Sequence, residues 1–371
     1  MFPLQLLPLT TLNPPPPSPH SPFPSKMNHS ASLKDHCITS LKTLTPHITC
    51  LAIHRNLLYA ASVNLINVFD LSHYSLLDAF NQSPASGFVK SITFTNSRVI
   101  TAHQDRKIRV WFITPAKRHR LLSSLPTLAD RLRCCILPRN YVSVRRHKSS
   151  LWIKHCDTVS GLAVNQRFMY SVSWDKSFKV WDLISYRCLE SVKAHDDAIN
   201  AVAVNSDGAV YTASADGSIK VWRRDDGAKR HALVSTIGKQ KSTVNALALE
   251  GGGAGFFSGG CDGAICRWEW GYRENDVVKM ETLSGHGGAI LCLIHVAGLL
   301  ASASSDLTVR IWQRGTGSSG YCCRAVLEGH EKPVKSLVAF SETEGDSNGV
   351  VTLFSGSLDG VIKVWQVFGL A

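Results

Sequence analysis

The sequence predicts an all-β chain folded as a single seven-bladed β-propeller. Three observations carry this expectation. First, an aspartate stands six residues before a tryptophan six times: Asp105 and Trp111, Asp175 and Trp181, Asp216 and Trp222, Asp262 and Trp268, Asp306 and Trp312, Asp359 and Trp365. Second, a hydroxyl side chain stands four residues before each of those aspartates, at Thr101, Ser171, Thr212, Ser258, Ser302 and Ser355. Third, the tryptophans recur mostly at intervals of 41 to 46 residues. That period, with alternating sequence such as Lys220-Val221-Trp222 leading into each tryptophan, suits four short strands per unit, as in a propeller blade.

A seventh copy lies upstream, where Leu58–Asp70 reads LYAASVNLINVFD. Phe69 takes the tryptophan position, Val63 the aspartate position and Tyr59 the hydroxyl position, a degeneracy common in terminal repeats. Two intervals are long. The 70 residues between Trp111 and Trp181 imply an insertion of roughly 28 residues, and the 53 before Trp365 reflect an extra loop at Ser341–Gly349. The last blade needs a fourth strand to cover its edge, and only six residues follow Trp365. Residues 36–43 resemble the outer strand Cys188–Lys193, so they are expected to complete the seventh blade and clasp the two ends of the ring. Domain organisation follows: a disordered Pro-rich N-terminal segment is expected over 1–32, then the propeller over 33–371, with a basic insertion at about 115–154.

A histidine opens several repeats, four residues before a β-branched residue: His155 before Val159, His195 before Ile199, His286 before Ile290 and His330 before Val334. With the pairs Gly285-His286, Gly329-His330 and Trp181-Asp182, this pattern resembles the WD40-repeat family over about residues 36–366. The resemblance implies a hydrogen-bonded tetrad inside each of four blades: His155/Ser171/Asp175/Trp181, His195/Thr212/Asp216/Trp222, His286/Ser302/Asp306/Trp312 and His330/Ser355/Asp359/Trp365. A buried, satisfied polar network of this kind fixes blade geometry. Blades two and five lack the histidine, and blade one lacks the set.

Enzymatic readings give way to the repeat. Histidine, serine and aspartate recur once per blade here, whereas a catalytic set converges once on one pocket. The glycine run Gly251–Gly255 lacks the Gly-Lys-Ser/Thr ending of a phosphate loop and falls where a hairpin turn is due. No spacing marks a metal site, and no cofactor is expected. Eleven cysteines, including the adjacent pairs Cys134-Cys135 and Cys322-Cys323, suit free thiols and hence the cytoplasm or nucleus. No apolar run reaches the roughly 18–20 residues of a membrane helix. The prolines of residues 1–32 interrupt any signal-peptide pattern, and Met27 is a candidate for the true start.

The net charge of +12 is concentrated. Residues 115–154 hold ten basic side chains and one acid, Asp130. Within them, Thr127 and Asp130 resemble a helix-capping pair, Leu128, Leu132, Cys135 and Ile136 have helical spacing, and Pro138 is expected to stop the helix. Tyr141–Arg146 and Leu151–Lys154 read as two short strands. Leu121–Leu125 and Leu151–Lys154 compete for the outer strand of blade two, which leaves open the face that bears the insertion. Candidate protein-binding residues are Arg131, Arg133, Arg145, Arg146 and Lys148, in two groups suited to carboxylates or phosphates. Trp174, a large aromatic at a turn tip, either anchors a partner or covers its own blade.

The insertion and the stretch Ser171–Lys176 also resemble the plant JINGUBANG-like WD40 proteins, which implies a regulatory adaptor in a plant cell. The sequence reading is a non-catalytic, monomeric scaffold for proteins with acidic surfaces. The alternative is a nucleic-acid-binding propeller, against which stands the scarcity of stacking aromatics: only Tyr141 and Trp152 interleave with the basic residues.

Overall fold

In the computed structural model the described residues are 34–95, 98–145, 148–225, 227–238, 240, 242–253, 255–271, 276–315, 320–342 and 349–370. The expectation for residues 1–32, and the question of Met27, lie outside them. The described chain forms seven four-stranded antiparallel sheets and one two-stranded hairpin. Six sheets are simple meanders. Blade 1 is Ile48–His54, Leu57–Ser62, Leu65–Asp70 and Ser75–Phe80; blade 2 runs from Val89 to Leu125, blade 3 from Val159 to Lys193, and blade 4 from Ile199 to Ile237. Blade 5 runs from Val244 to Leu283 and blade 6 from Ile290 to Leu327.

Blade 7 takes its three inner strands from Val334–Glu342, Gly349–Ser357 and Val361–Leu370. Its outer strand is Lys34–Lys42, antiparallel to Val361–Leu370, with Cys37 opposite Trp365 and Leu41 opposite Ile362. Thr43 fastens the end of this clasp, its backbone N–H and hydroxyl both donating to the Gly360 carbonyl at 3.2 and 3.1 Å. The ring therefore presents no open edge at its junction.

Seven apolar clusters hold the ring, one at each boundary between blades. Tyr170, Val172 and Phe178 of blade 3, for example, pack with Ile199, Val210 and Trp222 of blade 4. At the ring closure Leu41, Phe354 and Ile362 pack with Ile48, Leu58 and Phe69. Each strand alternates its side chains between its two faces, and both faces are covered by neighbouring blades, so the middle strands are largely buried and their polar residues, such as Thr101, Ser171 and Lys179, are buried with them.

Every inner strand carries a β-bulge at its second residue, which gives that residue a distinct direction. The seven bulged residues around the central channel are Thr49, Lys90, Ser160, Asn200, Asn245, Leu291 and Lys335. Four of them donate to the first inner-strand carbonyl of the next blade: Thr49 to Val89, Ser160 to Ile199, Asn200 to Val244 and Asn245 to Ile290.

Blade 1 departs from the repeat in a way its sequence alignment misses. Its turn is only Val63-Asn64, with Ser62 opposite Leu65, so Leu58 faces Phe69 and Ala60 faces Asn67. The shorter turn puts Ala60, not Tyr59, at the hydroxyl position. Tyr59 instead points to the boundary with blade 2, where its hydroxyl meets His119 Nε2 at 3.1 Å.

Candidate protein-interaction site

The rim of the ring is built by the turn that holds each aspartate and the loop that holds each histidine. In blade 3, His155 Nδ1 lies 3.0 Å from Asp175, its Nε2 2.8 Å from the Ser171 hydroxyl, and Trp181 Nε1 donates to that hydroxyl at 2.9 Å. Blade 4 repeats this with His195, Asp216, Thr212 and Trp222 at 3.1, 2.8 and 3.1 Å. His286, Asp306, Ser302 and Trp312 give 2.7, 2.7 and 2.8 Å, and His330, Asp359, Ser355 and Trp365 give 3.0, 2.8 and 2.8 Å. An ionised carboxylate only accepts, so Nδ1 carries the proton and Nε2 accepts from the hydroxyl.

Each aspartate also accepts the backbone N–H that follows the histidine, from Cys156, Asp196, Gly287 and Glu331. Burial works against the charge on Asp216 and Asp306, yet hydrogen bonds from Ser218 and Thr308 hold each carboxyl down at about 2. Burial pushes His155, His195, His286 and His330 below the usual imidazole range despite the facing carboxylates. These groups are spent on the scaffold: the polar side-chain atoms of these four tetrads are all paired within the protein.

Two blades rebuild the tetrad from other residues. In blade 5, Gln240 Nε2 donates to Ser258 at 3.1 Å while Trp268 donates to the same hydroxyl at 2.9 Å. Gln240 stands four residues before Val244, the offset of the four histidines, so the sequence held this signal. In blade 2 the hydroxyl of Thr101 meets His103 Nε2 at 2.7 Å and receives Trp111 Nε1 at 2.9 Å. His103 arises on the strand itself, at the position where blades 3, 4, 6 and 7 place a serine, and Asp105 pairs with Arg109 at 2.7 Å instead. No fixed offset announced that exchange.

The insertion between blades 2 and 3 is ordered around a helix, Leu128–Cys135, and a hairpin, Tyr141–Arg145 with Lys148–Leu151. The outer strand of blade 2 is His119–Leu125, and Leu151 pairs with Tyr141 in the hairpin, which decides the competition between the two segments. The insertion leaves the propeller on the same rim as His155. Thr127 caps the helix by accepting the Asp130 N–H at 3.1 Å, and its hydroxyl donates back to the Asp130 carboxylate at 2.7 Å. The far end is pinned to blade 3, where the buried Lys179 ammonium donates to the Trp152 carbonyl and Leu151 and Ile153 are buried.

The helix sits opposite to what its leucine spacing suggests. Asp130 lies 4.0 Å from Arg187 of blade 3, and Asp130 and Cys134 line a cleft of about 310 Å³ with Arg187 and Cys188. The apolar stripe faces away: Leu128, Leu132 and Ile136 are 63%, 58% and 75% exposed. Of the 20 large hydrophobic side chains exposed among the described residues, eight fall within residues 121–142. Clustered exposed apolar side chains on a folded protein mark an interaction surface.

Arg133 is exposed beside this stripe, 3.9 Å from Asp130, and Arg131 is half-buried. The side chains of Arg145, Arg146 and Lys148 lie outside the described residues. Trp174 is 39% exposed at its turn tip. Its ring carries Lys90 of blade 2, whose ammonium is 5.2 Å from the ring centre, a neighbour 84 positions away in sequence. Lys176, next to Trp174, donates to the Asp196 carbonyl. All eleven cysteines are free thiols, and no helix among the described residues is long and apolar enough to cross a membrane.

The fold and the repeated Trp–hydroxyl–His–Asp chain define a β-propeller of the WD type. The family model for the WD domain, G-beta repeat, matches residues 146–182, 186–223, 278–313 and 321–366. Those four stretches of this chain carry the WD40 repeat. The chain is 30% identical over 212 residues to the DENN domain and WD repeat-containing protein SCD1 of Arabidopsis thaliana, covering 57% of this chain and 16% of that one. It is 30% identical over 173 residues to Striatin-4 of Mus musculus, covering 42% and 22%. It is 26% identical over 225 residues to the F-box/WD-40 repeat-containing protein At5g21040 of Arabidopsis thaliana, covering 58% and 40%. The chain thus spans less than half the length of each of these relatives.

Proposed function

We propose that this propeller is a non-catalytic adaptor and that the insertion between blades 2 and 3 is its main docking element. One observation carries the reading: a helix pinned to blade 3 by its polar side turns Leu128, Leu132 and Ile136 to solvent, with arginines beside them. A partner that fits is a protein segment with an apolar face and acidic flanks. Such a surface suits protein better than nucleic acid, since aliphatic side chains neither stack on bases nor neutralise phosphates. The pinned ends reduce the ordering cost of binding. The resemblance to the JINGUBANG-like proteins supports a regulatory role in a plant cell, and the free thiols support the cytoplasm or nucleus. The propeller acts as a monomer within its complexes.

The test is a pull-down from the source cells with two folded variants beside the unaltered protein. One replaces Leu128, Leu132 and Ile136 by serine; the other replaces Arg131, Arg133, Arg145, Arg146 and Lys148 by serine. Both are expected to lose most partner recovery while melting as the parent does. Equal recovery of the same partners by both variants would remove the insertion from consideration. Recovery of nucleic acid that depends on the arginines alone would favour the nucleic-acid alternative.

A further inference from the structure

An arginine stands three residues before a hydroxyl side chain at Arg98 and Thr101, Arg120 and Ser123, and Arg146 and Ser149. The fold separates these three. Thr101 is buried and commits its hydroxyl to the core of blade 2, where it receives Trp111 Nε1 at 2.9 Å. Ser123 is half-buried in the outer strand of a four-stranded sheet, opposite Val110. Ser149 is exposed. It lies on Lys148–Leu151, whose one neighbouring strand among the described residues is Tyr141–Arg145. Ser143, directly opposite Ser149, is exposed as well.

The charge around Ser149 has one sign. Arg145, Arg146 and Lys148 precede it by four, three and one residues, and no acid stands between Asp130 and Asp157. A kinase that selects basic sequences reads such cations through carboxylates of its own cleft, and arginine suits that pairing best. The serine must also be drawn in as extended chain. A lone two-stranded hairpin is marginal in water, so its ladder opens readily. Four residue pairs hold this one: Tyr141 with Leu151, Val142 with Ser150, Ser143 with Ser149 and Arg145 with Lys148. Ser123 would have to leave a whole blade.

We propose that Ser149 is a phosphorylation site for an arginine-directed serine kinase, and that its phosphate switches off the arginine part of docking by the insertion. The switch rests on the adaptor reading given above; the modification itself does not. The Ser149 hydroxyl oxygen attacks the γ-phosphorus of ATP. The new phosphorus–oxygen bond forms as the bond to the β,γ-bridging oxygen breaks, ADP leaves, and the hydroxyl proton is released. The phosphoserine carries about −1.5 to −2 charge at pH 7. It enters a segment, residues 115–154, with ten basic side chains and one acid. The backbone register puts Arg145 and Lys148 at the next pair of the hairpin. A phosphate there pairs with cations that an acidic partner needs and repels the partner's carboxylates. The stripe of Leu128, Leu132 and Ile136 carries no charge and keeps its share of binding.

The experiment has three arms. The first treats the purified full chain with ATP and the catalytic subunit of cAMP-dependent protein kinase, the arginine-directed probe, and maps phosphate by peptide mass spectrometry. The folded protein is expected to take a phosphoryl group at Ser149. Ser149→Ala should lose it, while Ser123→Ala and Ser143→Ala keep it. The second isolates the chain from source cells held in a phosphatase inhibitor, where the peptide that contains Ser149 should carry phosphate. The third compares phosphorylated and untreated protein in the pull-down described above. Phosphorylation should lower partner recovery to the level of Arg145→Ser with Arg146→Ser, and kinase-treated Ser149→Ala should recover the partners in full. The site is overturned if the kinase leaves Ser149 bare in the folded chain, if it modifies Ser123 instead, or if the cellular chains lack the phosphate. The switch is overturned if phosphorylated and untreated protein recover the same partners equally. Full recovery by both insertion variants removes the adaptor reading and the switch with it, while the first two arms still decide the site.

Discussion

Glu190 and His231 meet across the boundary between blades 3 and 4, with Oε2 2.7 Å from ring Nδ1, although 41 residues separate them. The carboxylate also accepts the His231 backbone N–H, and His231 Nε2 faces the Tyr170 hydroxyl at 3.4 Å. The same device joins blades 1 and 2, where Asp78 holds the ring and backbone of His119 at 2.8 and 3.1 Å and Tyr59 meets the far nitrogen. Between blades 5 and 6, Glu281 accepts the Tyr321 N–H at 3.0 Å, with no histidine. Alternate boundaries are thus latched near the outer edge, in addition to their apolar cores.

The latch predicts a stability cost rather than a loss of binding. Glu190→Ala should leave the buried His231 Nδ1 and backbone N–H without a partner, a loss on the order of 1–3 kcal/mol. Glu190→Gln keeps an acceptor for one of the two and should lose less. Urea unfolding measures both; an alanine variant as stable as the parent would show that the latch contributes nothing.

The tetrads predict unequal costs. Asp216→Ala removes the acceptor of both His195 and the Asp196 N–H, and should cost on the order of 1–3 kcal/mol. Gln240→Ala removes one neutral donor from Ser258 and should cost about 0.5–1.5 kcal/mol. Denaturant midpoints of the two variants would reverse in order if Gln240 were the true keystone of blade 5.

Acid should destabilise the propeller in two steps with the same sign. The buried imidazoles sit below their unfolded value of 6.5, so the unfolded chain takes up protons first. Their contribution is complete above pH 6.5 and declines as pH falls toward the folded values, which for His103 is about 3. Asp216 and Asp306, near 2 in the fold and 3.8 without it, add their loss as pH falls from 3.8 through 2. Unfolding free energy measured from pH 8 to pH 4 should decline below about 6.5; a flat profile would contradict buried neutral histidines.

Ring closure predicts aggregation. Deleting residues 33–45 removes the strand opposite Val361–Leu370 and leaves a long unpaired edge. Light scattering should show association. A soluble monomer that unfolds cooperatively would show that the clasp is dispensable.

The insertion predicts salt dependence with a floor. Screening should weaken the arginine contribution as the Debye length falls from ~10 Å at 0.1 M toward ~3 Å at 1 M. The contribution of Leu128, Leu132 and Ile136 should persist, because apolar burial does not rest on charge. Partner binding that disappears entirely at high salt would assign the docking to the arginines alone.

The sequence by itself determined the blade and the number of blades. Asp and Trp lie six residues apart, within one hairpin, and a hairpin's spacing is fixed by its own turn and strands. The offset of four between His and inner strand is local in the same way, and it extends to Gln240. The matching strand over residues 36–43 was legible because the last blade needed a cover for its edge. Tertiary structure decided what depends on which segments come to lie side by side. The turn of blade 1 is one residue short, which moved Tyr59 to a blade boundary. His103 replaced a loop histidine because its strand already pointed a ring at Thr101. The leucines of residues 128–136 have the spacing of a buried helix face, but a helix rotates as a unit: Asp130 and Cys134 found blade 3, and the leucines turned outward. Glu190 met His231 only because neighbouring blades bring their outer edges side by side.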